Sequence, residues 1–182
     1  MNMSTVFTIS TPVTSIRGKT AATVIAVAAA VALPQALHAL GAATGIGPAL
    51  GQSLLPMFWP VLLVGLLAGP LAGAAAGLIS PLLAFALSGM PALPMLTPIS
   101  VQLVVMAAVA GLLARTRAHV ALNCLAAVIL GWLARLAVVA VLGGPVISVW
   151  DAALAGWPGL LVLLVAAPLL MLLIPAAKRA NR

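Results

Sequence analysis

The 182-residue chain has one acidic residue, Asp151, no tyrosine, one cysteine and two histidines. Each scarcity excludes a class of chemistry. General acid–base catalysis needs positioned titratable groups, and nucleophilic catalysis needs a base beside the nucleophile. A single carboxylate and no phenol assemble neither, so the sequence reads as that of a non-enzyme. Cys124 alone excludes an intrachain disulfide framework and a cysteine-based zinc site. It falls inside an apolar run, where a small buried thiol is the expected role. With so few histidines and carboxylates, no metal site is expected. No cofactor is expected either, because Gly45-Ile46-Gly47 lacks both the third glycine and the lysine of a phosphate loop.

Charge itself is scarce. Charged residues make up 5% of the chain and hydrophobic residues 65%, and the mean hydropathy is +1.32. That leaves too little polar surface to cover a globule in water. A bilayer core about 30 Å thick needs roughly 20 apolar residues per helix, so the chain has room for about six or seven spans.

Seven of the eight basic residues give the topology. Arg17 and Lys19 precede the first apolar run, Arg115 and Arg117 lie between later runs, and Lys178, Arg179 and Arg182 follow the last. Short loops rich in Lys and Arg stay on the cytoplasmic side. The net charge of +7 is therefore assigned to topology and to contacts with anionic lipid, not to nucleic acid. The expected fold is all-α: a polytopic membrane protein with six transmembrane helices and both termini inside. Residues 1–18 form a cytoplasmic tail, 19–176 the six-helix domain and 177–182 a second tail. Spans are expected at 19–40, 54–87 (two helices turning at Gly69-Pro70), 99–114, 120–142 and 152–174, with loops at 41–53, 88–98, 115–119 and 143–151. The segment from Arg17 through His38 and Ala39 also has the layout of a cleavable signal peptide; the charge rule permits both readings.

Helices in a bilayer associate through small residues that let backbones approach. Gly65, Gly69, Gly73 and Gly77 recur every four residues, as do Ala22, Ala26 and Ala30. Generic close packing explains either series. Polar residues gather toward the outer ends of the spans: Gln35 and His38, Gln52 and Ser53, Ser88, Ser100 and Gln102, Arg135, then Trp150 and Asp151. Such a set suits an outward-facing capture site, which is mostly apolar with a few orienting polar groups.

Arg135 lies about 10 Å below the outer end of its span. A charge there costs roughly 2.5–3.5 kcal/mol on insertion scales, so it faces a cavity or a partner. Its guanidinium is suited to grip an anionic or carbonyl group. Pairing with Asp151, bonding to helix-end carbonyls, or snorkelling to the surface are the alternatives. Gly131 leaves room on the same face for a ligand or another helix, and Trp132 sits at helical-neighbour spacing. His38 and the tryptophans Trp59 and Trp132 are read as interfacial residues or as ligand contacts.

The ordered series Leu33-Pro34, His38, Leu55-Pro56-Met57-Phe58-Trp59-Pro60-Val61-Leu62-Leu63, Gly69-Pro70, Gly77-Leu78-Ile79-Ser80-Pro81-Leu82-Leu83, Ser88-Gly89-Met90-Pro91 and Ala110-Gly111-Leu112-Leu113 resembles the substrate-binding S components of energy-coupling-factor (ECF) vitamin importers. The resemblance runs from about Leu33 to Leu142. It implies a six-helix subunit of the bacterial plasma membrane that captures a vitamin or related micronutrient from outside. It also implies a T subunit docked on an Ala-x-x-x-Ala pattern of helix one, here Ala22, Ala26 and Ala30, and two cytosolic ATPase subunits. The substrate-binding candidates are His38, Trp59, Gln102, Trp132, Arg135 and Asp151. Phe58 stands where related sequences often carry His, Gln102 where many carry Glu, and Met106 where many carry Tyr. If these line the pocket, the substrate is less cationic or less hydrogen-bonding than is usual for the family. A self-sufficient secondary transporter and a non-transporting scaffold subunit are the alternative functions.

Overall fold

Glycine and proline set most of the helix boundaries. In a computed structural model that describes residues 13–180 apart from 48 and 117–118, with side chains through 171, Ser15 caps the first helix, accepting a hydrogen bond from the Gly18 N–H at 3.1 Å. This helix, α1, spans Ile16–Thr44 and ends at Gly45 in the left-handed conformation (φ 74°), which glycine adopts without steric cost. A short helix α2 (Ala49–Leu54) and α3 (Phe58–Ala68) follow. Gly69 (φ 97°) stops α3, and Pro70 opens α4 (Pro70–Ser88), where its missing N–H removes no helical bond. Then come α5 (Leu93–Leu113), α6 (Val120–Val141), α7 (Ile147–Ala155) and α8 (Trp157–Ala180). No strand occurs among the described residues.

Five segments are long and apolar enough to cross a membrane: α1, the α2–α3 segment Ala49–Ala68, α4, α5 and α6. A sixth forms if α7 and α8, bent by 61° at Gly156, make one broken span. The chain is an all-α polytopic membrane protein, with the turn at Gly69-Pro70 where the sequence places it.

Several boundaries differ from expectation, and α2 starts inside the expected loop 41–53. Helix α1 runs through Pro34 to Thr44, not to residue 40. Helix α5 starts at Leu93, inside the expected loop 88–98; Pro94 falls in its first turn, where a proline is tolerated. The last span is broken, and Asp151 lies inside α7 instead of opening a continuous helix.

Helix α5 is the centre of the packing, against α3, α4 and α6, while α1 covers α3 and α4. The glycine series makes this possible. A Cβ on Gly65 would meet the Ala107 carbonyl, one on Gly73 would stand 2.8 Å from the same oxygen, and one on Gly77 would stand 2.7 Å from the Leu103 backbone. Gly69 serves the turn instead.

The two ends of the bundle differ in chemistry. At one end the Val13 N–H donates to the Leu67 carbonyl at 3.2 Å, and Gly111 packs on Gly69 and Pro70. Arg115 Nη2 lies 3.5 Å from where a Cβ on Gly69 would stand. The α3–α4 turn has no basic residue of its own, but Arg115 is laid against it, and Arg17 and Lys19 open α1 on the same side. At the other end Gln35 Nε2 donates to Ser88 Oγ at 2.8 Å, and His38 abuts Gly51. The candidate site lies at this second end.

Candidate functional site

The site is built in two layers. The outer layer is a cavity of about 160 Å³. Helix α1 contributes Pro34 and Gln35 and, one turn on, His38; α2 contributes Gly51, the α2–α3 break Leu55 to Met57, and the start of α3 Phe58. Ala84, Met90, Pro91 and Ile99 close it from α4, its following loop and α5. Gln35 and His38 are the polar groups, and Gln35 is tied to Ser88, whose hydroxyl donates to the Ala84 carbonyl at 2.8 Å. Most of the lining is therefore apolar. Gly51 keeps the cavity open beside His38: its Cβ would stand 3.1 Å from His38 Cε1.

Behind Phe58 lies the second layer. Phe58 stacks on Trp132 with ring centroids 6.5 Å apart, and the Arg135 guanidinium carbon sits 5.3 Å from the Trp132 ring centre, within cation–π range. Arg135 Nη1 donates to Gln102 Oε1 at 3.2 Å, and Nη2 makes a weak contact of 3.8 Å to Met95 Sδ. Gly131 makes this pairing possible, because a Cβ there would stand 3.0 Å from the Gln102 carbonyl and 2.9 Å from Met106 Cβ. One turn later on α6, the arginine meets the glutamine on α5. Gln102 is fully buried and Arg135 is 7% exposed. Three donors here have no partner: Gln102 Nε2, Trp132 Nε1 and Arg135 Nε.

His38, Gln102, Trp132 and Arg135 thus gather in or just behind the cavity. Trp59 does not: its indole donates to the Leu54 carbonyl at 3.1 Å and secures the α2–α3 break. Asp151 is exposed on α7, and no ion pair joins it to Arg135, so the expected alternative of an Arg135–Asp151 pair is corrected to an Arg135–Gln102 pair. Ala26 and Ala30 are buried in the chain's own core and Ala22 packs against it. Val24 and Ile25 of the same helix are exposed.

Gly51 and Met95 are contacts that reading the sequence for site residues misses, because they depend on which helices meet. Gln35, named among the outer polar residues, and Phe58, named as a position that would line a pocket, both line the cavity. No family model, curated protein or solved structure matches the chain.

Proposed function

We propose that this protein is the substrate-capture subunit of an ECF-type importer, binding a vitamin or similar small water-soluble micronutrient at its outer face. The observation that carries the reading is a polar-tipped apolar cavity at the end of the bundle opposite the basic residues, backed by buried donors. The positive-inside rule directs the basic end to the cytoplasm and so turns the cavity outward. A T subunit and two cytosolic ATPase subunits supply the energy, in keeping with the S components that the sequence resembles, and the setting is a bacterial plasma membrane. The one acidic side chain, Asp151, is exposed on α7, whereas the ion-coupling carboxylate of a secondary transporter is expected within a span.

Metabolite profiling of cells tests this. Co-expression of the chain with the T subunit and both ATPases is expected to enrich one water-soluble compound that replacing the ATPase phosphate-loop lysines abolishes. Enrichment by the chain alone would identify a secondary transporter, and no enrichment in either case would leave the scaffold reading.

A further inference from the structure

The second layer of the site has donors in excess of acceptors. Gln102 Oε1 is the one side-chain oxygen that Arg135 reaches, while Gln102 Nε2, Trp132 Nε1 and Arg135 Nε are buried and unpartnered. A buried polar group without a partner bears its full desolvation penalty, and a charged one bears more. Two such donors beside a cation that has a free N–H of its own are not a balanced structural network. The charge is also uncompensated, because the chain has a single carboxylate and that residue, Asp151, is exposed. What the cluster lacks is an anion with at least two acceptor oxygens.

The outer layer says what else the ligand carries. A volume of about 160 Å³ matches the roughly 150 Å³ that holds a benzene-sized group, and the lining suits an apolar body. Phe58 belongs to both layers, lining the cavity and stacking on Trp132. Met95, from the start of α5, lies on the guanidinium. A shift of one ring and one flexible thioether would join the cavity to the donors.

We propose that the substrate is a small carboxylate with an apolar body of about ring size, its carboxylate held by Arg135 with Gln102 Nε2 and Trp132 Nε1 and its body in the cavity. This rests on the capture reading and narrows it to a substrate class. The fork of the guanidinium matches a carboxylate in two-point contact, and Gln102 accepts from one of its nitrogens while leaving others for the ligand. A glutamate at this position would have neutralised Arg135; a glutamine leaves the charge for the substrate.

The test uses the full chain purified in neutral detergent and the unfolding temperature as readout, since a ligand that binds the native state raises it saturably. The probes are benzoate, phenylacetate and hexanoate, each beside its primary amide. At least one carboxylate is expected to raise the unfolding temperature while its amide does not. Arg135→Met is expected to weaken that binding by about 10- to 100-fold, and Arg135→Lys by less, as a point charge replaces a planar fork. Gln102→Leu, which keeps the cation, is expected to weaken it about 5- to 10-fold, and it decides the matter if the Arg135 variant does not fold. Amides stabilising as well as their acids would overturn the carboxylate assignment and leave the capture reading standing. Stabilisation by phosphatidylglycerol over phosphatidylcholine nanodiscs, with none by the carboxylates, would assign the cluster to a lipid headgroup and overturn it. No response to any probe would overturn the carboxylate class, while enrichment of a compound in the uptake experiment would still uphold capture.

Discussion

Gly111→Val is expected to destabilise the protein by about 3 kcal/mol or more, at the upper end of what overpacking costs. A Cβ at Gly111 would stand 2.6 Å from the Gly69 carbonyl carbon and 2.7 Å from Pro70 Cα. All of these are backbone atoms that no rotamer change can move. The α3–α4 turn would have to lift away from α5, and α5 is the helix against which α3, α4 and α6 all pack. Unfolding monitored by circular dichroism in mixed micelles measures the effect. Ala121→Val, on the exposed face of α6, is the control and should be close to neutral. Equal stability of the two variants would mean that the helices do not approach through their glycines.

The largest effect on ligand binding is expected from Gly51→Trp. Gly51 is half-buried on α2 and forms one wall of the cavity beside His38. An indole there takes up much of a space of about 160 Å³, which the ligand's apolar body would otherwise fill. Loss of about 3 kcal/mol of binding corresponds to roughly 100-fold in affinity. The substitution leaves the α5 glycine contacts and the Arg135–Gln102 bond in place, so the unfolding temperature without ligand should change little. Native mass spectrometry of the purified chain reads the result, with a co-purifying small molecule present on the wild type and absent from the variant. Retention of the compound by Gly51→Trp would remove the cavity from the site.

The sequence made the helical, membrane-spanning character of the chain legible, because long apolar runs and the Gly69-Pro70 break depend on nothing beyond local chemistry. It also showed the Trp132–Arg135 neighbourhood, which is fixed by helical spacing. It did not show where helices tolerate proline. Pro98 lies within α5, although the stretch 88–98 reads as a loop when its prolines are taken as stops. Nor did it show partners across the bundle. Gln102 and Arg135 are 33 residues apart, and only the meeting of α5 and α6 at Gly131 brings them together. The same limit explains Asp151: as the lone carboxylate it was the obvious counter-ion, but the break at Gly156 places it on a separate short helix. The alanine series illustrates the opposite difficulty. Small residues spaced for close packing look alike whether the neighbour is the chain's own α3 and α4 or another subunit.

An outward-facing cavity is the central claim, and cysteine accessibility in intact cells tests it most directly. Cys124 is buried, so the native chain supplies the unlabelled baseline. Gln52 is exposed on α2 next to Gly51, and Thr116 is exposed beside Arg115, so Gln52→Cys and Thr116→Cys report the two ends of the bundle. A membrane-impermeant maleimide is expected to label Gln52→Cys in intact cells, and Thr116→Cys only after the membrane is opened. Labelling of Thr116→Cys in intact cells, with Gln52→Cys protected, would place the cavity on the cytoplasmic side and contradict capture from outside.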